Sequence, residues 1–137
     1  MDFSATIKRR VDFCDIDSMG VMWHGSYCKY LEDARCRLLE KIGFPYQVMG
    51  KEGYQIPIVS LLIKYFKPCC FDQEIEVTAT LSECKCLLVI SYIIHDAKSH
   101  KKFASAETKH AIYDVLAGKA VLSLPKFMKD CLENYHE

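Results

Sequence analysis

One amphipathic helix, entered directly from a glycine-containing loop, constrains the fold of this chain most strongly. Its apolar positions recur every three or four residues, at Tyr27, Leu31, Ala34, Leu38 and Ile42. This spacing buries one face of a helix and leaves the charged residues on the opposite face. Gly43 predicts the end of the helix, and either Gly25 or Ser26 caps its start.

The segments on both sides of the helix have the patterns of β-strands. Apolar residues stand at odd positions from Phe3 to Phe13, and residues 74–81 alternate between apolar and polar side chains. Residues 55–67 and 86–95 are apolar on both faces, which predicts strands covered on both sides. A further strand is predicted at 103–113, and Pro125 opens a short closing helix.

Consecutive strands with short connections favour an antiparallel sheet, and the long helix is the natural cover for one of its faces. We therefore predict an α+β fold, with an antiparallel sheet of five to six strands around one long central helix. The length of 137 residues suits a single domain, residues 1–137. One helix leaves the other sheet face bare, so we expect oligomerisation to cover it.

Composition excludes several classes of function. Eighteen basic residues balance eighteen acidic ones, so no net field attracts nucleic acid. We find neither a signal peptide nor an apolar run that spans a membrane, and we expect a cytoplasmic protein. The eight cysteines lack the spacing of zinc ligands, and we expect reduced thiols that pack as small apolar side chains.

The loop before the helix carries the residues best suited to chemistry. It contains Asp15, Asp17 and His24, and Gly20 is free to take a positive φ that folds the loop back over the helix end. The first N–H groups of a helix lack intrahelical acceptors and carry partial positive charge. A carboxylate facing such donors is the pairing that acyl transfer needs.

Simpler interpretations of these residues stay open. Asp15 and Asp17 are also ordinary turn formers, because aspartate bonds its own backbone in loops. His24 could be a partner of the helix cap or a surface residue. A metal site is the weakest hypothesis, since no second histidine or cysteine pair stands at ligand spacing, and we predict none.

The loop and helix together resemble a known family. Residues 15–21, His24, Tyr27 and residues 32–35 are similar to the signature of the hotdog-fold acyl-CoA thioesterases, in the 4-hydroxybenzoyl-CoA thioesterase and YbgC-like branch. Residues 63–68, 104–113 and 124–125 are similar to later parts of the same family. The chain departs from the family at Met19 and Trp23, which would alter the shape of the acyl pocket.

The resemblance implies a role for each matching residue. Asp17 would be the catalytic carboxylate, either as nucleophile or as base for water, and His24 would supply a polarising backbone N–H while its imidazole helps to position the substrate. Two further groups follow from the resemblance. The substrate-binding positions are Gly20, Val21, Trp23, Tyr27 and Lys64, and the residues that support the site are Asp15, Glu32 and Arg35. Glu32 is also the analogue of a helical catalytic glutamate in some hotdog enzymes, and we rank it below Asp17.

The implied reaction is hydrolysis of a small or medium acyl-CoA to free acid and CoA, with no metal or organic cofactor. The implied assembly is a homodimer or homotetramer. Lys64, Lys67 and the lysines of residues 98–102 are candidates to bind the CoA phosphates. Two alternatives remain: a hotdog dehydratase, and a non-catalytic binder of acyl-CoA or of acyl-carrier protein.

Overall fold

The computed structural model describes residues 3–135. In chain order the elements are β1 (Ser4–Arg10), α1 (Tyr27–Ile42), α2 (Tyr46–Glu52), β2 (Tyr54–Gln55), β3 (Ile58–Tyr65), β4 (Glu74–Cys84), β5 (Leu87–Asp96), β6 (Lys102–Ala111), β7 (Tyr113–Asp114), β8 (Lys119–Ala120) and α3 (Lys126–Glu133). Short 3-10 turns at Phe13–Asp15 and His24–Ser26 bracket the loop that leads into α1.

Five strands form one antiparallel sheet in the order β1-β4-β5-β6-β3, and β2, β7 and β8 form a second, small sheet. Alternate residues of β4, from Ile75 to Leu81, are buried against the same core as α1. The predicted α+β class, with five antiparallel strands and one long helix, is therefore confirmed.

Helix α1 buries the predicted stripe and ends where the sequence predicts. All five stripe residues are at most 4 % exposed. Gly43 takes a φ of +114°, and its N–H bonds to the carbonyl of Leu39, as a left-handed helix cap requires. Ser26 precedes the first helical residue, but its side chain makes no capping hydrogen bond.

The prediction that residues 55–67 form a strand covered on both faces is wrong for the single chain. The strand in this segment, β3, lies at the edge of the sheet, where it pairs with β6 alone. Most of its side chains are exposed, including Ile58, Val59, Leu61, Leu62 and Tyr65. Apolar residues on both faces indicate burial but do not say which chain provides the cover.

The strand predicted at 103–113 ends earlier, because β6 stops at Ala111 and the backbone crosses at Ile112 into the small sheet. All eight cysteines are free. Within residues 3–135, no helix combines the length and the apolar character needed to cross a membrane.

Candidate active site

The loop before α1 is a tight hairpin centred on Asp17. The N–H of Asp17 donates to the carbonyl of Val21 at 2.9 Å, and the N–H of Gly20 donates to the carbonyl of Asp17 at 3.1 Å. Gly20 takes a φ of +82°, as predicted, so the chain reverses there without the steric cost of a side chain. The hairpin holds Asp17 in one fixed orientation.

The carboxylate of Asp17 forms the turn that the simpler interpretation predicts, and the catalytic role stays a prediction. Its Oδ1 accepts the N–H of Met19 at 2.8 Å and a longer contact from Val21 at 3.4 Å, which is the geometry of an aspartate turn. Within residues 3–135, Oδ2 accepts no hydrogen bond from the protein. One oxygen therefore orders the loop, and the other is free to meet a substrate or a water.

The start of α1 offers donors without acceptors. The turn His24–Ser26 runs directly into the helix, and the N–H of Ser26 donates to the carbonyl of Trp23 at 2.9 Å. The N–H groups of His24 and Gly25 find no acceptor in the described part of the chain. The helix dipole adds partial positive charge to both groups. A developing oxyanion would be stabilised there.

Trp23 lies across this helix start. An added Cβ on Gly25 would collide with the indole ring of Trp23, so the ring packs directly on the glycine backbone. The ring centroids of Trp23 and His24 are 5.0 Å apart. About half of Trp23 is exposed.

Asp15 ties the loop to the first turn of α1. Its buried Oδ2 accepts hydrogen bonds from Lys29 Nζ at 2.7 Å and from the Tyr30 hydroxyl at 2.6 Å, and its carbonyl accepts the N–H of Trp23. Burial alone would raise the pKa of Asp15, but the hydrogen bonds from Lys29 and Tyr30 outweigh it and lower that pKa. Burial and the bond to Asp15 raise the pKa of Tyr30 to about 12.

A cavity of about 180 Å³ opens beside His24, between the helix start and the end of β3. Its lining residues are Met22, His24, Tyr27, Tyr65, Phe66, Lys67 and Pro68. The Tyr65 hydroxyl donates to the carbonyl of His24 at 2.9 Å, and its ring packs edge-on against Tyr27. Asp17 does not line this cavity. Its hairpin leads to Met22, which does line the cavity and whose N–H donates to the carbonyl of Cys69.

Lys64 lies away from these residues. Neighbouring side chains of a strand point to opposite faces, and Tyr65 contacts the helix side, so Lys64 points to the outer face of the sheet. There it lines a separate cavity of about 340 Å³, beside Glu107. Lys67, another candidate for the CoA phosphates, is the lysine that the structure brings to the cavity at His24.

Glu32 and Arg35 sit further along α1. Glu32 is exposed, as its position on the charged face predicts. Arg35 is only 6 % exposed, and it donates hydrogen bonds to the hydroxyls of Tyr46 and Tyr92 at 2.8 and 3.2 Å. Neither residue contacts the hairpin of Asp17 through a hydrogen bond or ion pair in the described residues.

Two clusters bring three potential metal ligands close together. Glu76 on β4, His95 on β5 and His100 in the turn between β5 and β6 form the first cluster, and Asp12, Cys14 and Asp15, which lie before α1, form the second. In the second cluster, Lys29 already forms ion pairs with both carboxylates, those of Asp12 and Asp15. Neither cluster includes Asp17 or His24.

Sequence reasoning did not assign roles to Lys29, Tyr30 and Tyr65. Lys29 and Tyr30 hold Asp15, and Tyr65 holds the helix start against β3. No local pattern signals the role of Lys29, because Asp12 and Asp15 stand 17 and 14 residues before it in the sequence. The role of Tyr65 depends on how β3 lies against α1, which no local pattern states.

Comparison with solved structures defines the class of fold. A hypothetical protein from Aquifex aeolicus superposes with a TM-score of 0.83 and 32 % identity, covering 93 % of this chain and 98 % of that one. A DHNA-CoA thioesterase from Staphylococcus aureus gives a TM-score of 0.84 at 24 % identity, with coverage of 96 % and 88 %, a likeness that shows the fold alone. The chain has the hotdog fold.

The sequence then fixes the family. The family model of the thioesterase-like superfamily matches residues 11–132. An acyl-CoA thioesterase YbgC of Helicobacter pylori is 30 % identical, in an alignment that covers 92 % of this chain and 98 % of the relative. The chain belongs to the thioesterase-like superfamily, and it is an enzyme of the thioester hydrolase class.

Proposed function

We propose that this protein hydrolyses acyl-CoA thioesters at the start of α1. The observation that carries the proposal is the pair of free N–H groups, at His24 and Gly25, beside a cavity walled by Tyr27 and Tyr65. A thioester carbonyl seated there would direct its oxygen at both donors. Removal of one such donor costs about 3 to 4 kcal/mol of transition-state stabilisation in acyl transfer.

Asp17 supplies the second half of the chemistry in this proposal. Its free Oδ2 either attacks the thioester carbon, or takes a proton from a water that attacks it. In both routes the carbon–sulfur bond breaks and its electron pair leaves with the CoA thiolate. In the first route water then hydrolyses the mixed anhydride. A thiolate is a good leaving group, so neither route needs a strong general acid.

The CoA moiety needs cations near the mouth of the cavity, because its phosphates are anionic. Lys67 lines that mouth and supports this assignment best. Lys64, on the outer face of the sheet, would reach a phosphate only if the CoA tail wraps around the edge strand.

We also propose that the working unit contains a second copy of this chain, joined along β3. The strand is an unpaired edge of eight residues, and five of its large apolar side chains are exposed. An edge of this kind pairs readily with another strand. Because β3 also borders the cavity through Tyr65, the second copy would complete the pocket wall.

Thiol release across a panel of short, medium, long and aromatic acyl-CoAs tests the proposal. The eight native cysteines require a blank without substrate. We expect the wild type and Asp130→Asn, a control on the remote helix α3, to hydrolyse at least one member of the panel, and Asp17→Asn to hydrolyse none. Full activity in Asp17→Asn would contradict the assigned role, and no activity in the wild type would contradict the function.

A further inference from the structure

A second cavity continues along the same side of α1. It holds about 70 Å³ and lies between the helix residues Cys28, Leu31 and Arg35 and the strand residues Ile58 and Leu61. The cavity beside His24 lies between the same two elements, at the other end of β3. Positions 24, 28, 31 and 35 follow one face of a helix. The two cavities therefore follow one another between α1 and β3, and we call this space the groove.

The far end of this groove is closed by a buried guanidinium without a counter-charge. Among residues 3–135, no carboxylate oxygen lies within 4.0 Å of a nitrogen of Arg35. Its hydrogen bonds go to two neutral hydroxyls, of Tyr46 and Tyr92, and use two of its five N–H donors. Removing a guanidinium from water is costly unless an opposite charge compensates for it.

A chain of buried hydrogen bonds fixes the direction of Arg35. Arg35 Nη1 donates to the Tyr92 hydroxyl, Tyr92 contacts the Thr108 hydroxyl at 2.7 Å, and Thr108 contacts His110 Nε2 at 2.9 Å. His110 Nδ1 ends the chain at the carbonyl of Ile56, 2.9 Å away. With Nδ1 as the donor, every hydroxyl in the chain donates to the next acceptor. Such a network holds the remaining N–H groups of Arg35 in place and ready for a ligand.

We propose that Arg35 binds a carboxylate at the far end of the acyl group, so that the preferred substrates are ω-carboxyacyl-CoAs. This inference rests on the proposed thioester hydrolysis at His24. A guanidinium matches a carboxylate with two parallel hydrogen bonds, and Thr108 in the cavity wall adds a hydroxyl. Glu32 also lines the cavity, but its side chain is exposed, and water screens its charge.

The helix geometry sets the length of such a substrate. His24 and Arg35 are eleven residues apart, and because helical side chains lean towards the N-terminus, the groove is roughly 10 to 16 Å long. A fully extended chain advances about 3.6 Å for three bonds, so the carboxylate should lie about 8 to 13 bonds from the thioester carbon.

The test compares pairs of substrates that differ at the far end of the acyl group, where one carries a carboxylate and the other a neutral ester. Each ω-carboxyacyl-CoA, over a series of chain lengths, is matched with its methyl ester, and kcat/KM is measured for the wild type. We expect the carboxylate to be preferred by at least tenfold, with an optimum at intermediate length. Equal values, or a preference for the methyl ester, would overturn the inference. The same result is expected if a carboxylate of a second copy already pairs with Arg35, and it would overturn the inference in that case too.

Two substitutions assign the preference to Arg35. Arg35→Met should abolish the preference for the carboxylate, and Arg35→Lys should retain part of it, with the loss mainly in KM. Arg37 is an exposed arginine on the same helix, so Arg37→Met should retain the preference fully. Retention in Arg35→Met, or equal loss in Arg37→Met, would refute the role of Arg35. If Arg35→Met does not fold, competitive inhibition of the wild type by free dicarboxylic acids, and not by their dimethyl esters, decides the question.

The two proposals fail in different ways. If the wild type hydrolyses none of the substrates, the proposed function is wrong. If it hydrolyses plain acyl-CoAs and methyl esters as fast as the carboxylates, the function stands and the inference about Arg35 is wrong.

Discussion

The buried carboxylate of Asp15 gives a sharp test of how the loop is held. Asp15→Asn keeps the shape of the side chain but removes the charge that Lys29 and Tyr30 bind. A matched control exists in Asp12→Asn, because Asp12 binds the same Lys29 Nζ at 3.0 Å from an exposed position. The two variants differ mainly in the burial of the lost charge.

The expected cost follows from the contacts. Each hydrogen bond to a charged group contributes about 1.5 to 3 kcal/mol, against about 0.5 to 1.5 kcal/mol for a neutral one, so two weakened bonds should cost about 2 kcal/mol after allowance for the half-exposed lysine. In a domain of this size that loss lowers the Tm by roughly 6 to 10 °C. Asp12→Asn breaks an exposed ion pair and should cost less than about 1 kcal/mol.

The pH dependence separates charge from shape. The folded-state pKa of Asp15 is lowered below its ordinary value near 3.8, so its charge stabilises the fold above that pH and the benefit is lost as the pH falls through the lowered pKa. Urea unfolding should give a constant difference between wild type and Asp15→Asn from pH 5 to pH 7, and a shrinking difference below pH 3.8. An equal loss in Asp12→Asn, or a difference that persists in acid, would refute this reasoning.

Three further changes probe other parts of the site. Gly25→Ala must displace the ring of Trp23, the single tryptophan, so we expect a red shift of its fluorescence and a lower kcat; an unchanged spectrum would contradict the close packing. Tyr65→Phe removes the hydrogen bond to the carbonyl of His24 and should cost about 1 kcal/mol of stability with a fall in kcat; wild-type values of both would show that this bond does not position the helix start. Leu61→Lys puts a charge on the exposed edge strand and should yield monomers in analytical ultracentrifugation, whereas a mass equal to that of the wild type would argue against pairing through β3.

Local patterns predicted the elements whose packing they encode. The stripe from Tyr27 to Ile42 determined the buried face of α1, and alternation determined the inward face of β4. Gly20 and Gly43 marked two left-handed positions correctly, because only the local backbone decides them. These are properties of a few neighbouring residues, and a sequence states them directly.

The remainder depends on residues far apart in the chain. Arg35 stands in a charged stretch of the sequence, yet it is buried because Tyr46 and Tyr92 arrive from α2 and β5. The edge position of β3 follows from strand order, which apolar content does not specify. The family resemblance predicts Asp17 and His24 as catalytic residues, but the unpaired N–H groups and the unpaired Oδ2 are seen only in the described part of the folded chain.

The most direct test of the central claim separates binding from chemistry at Asp17. Fluorescence of Trp23, which lies on Gly25 at the helix start, reports occupancy in a titration with an acyl-CoA that the wild type hydrolyses. The same samples, mixed at enzyme excess, give the rate of thioester cleavage in a single turnover. We predict that Asp17→Asn binds with a Kd within about threefold of the wild-type KM and cleaves at least a hundredfold more slowly. Cleavage at the wild-type rate in Asp17→Asn, or no change in Trp23 fluorescence on binding to either protein, would contradict the account.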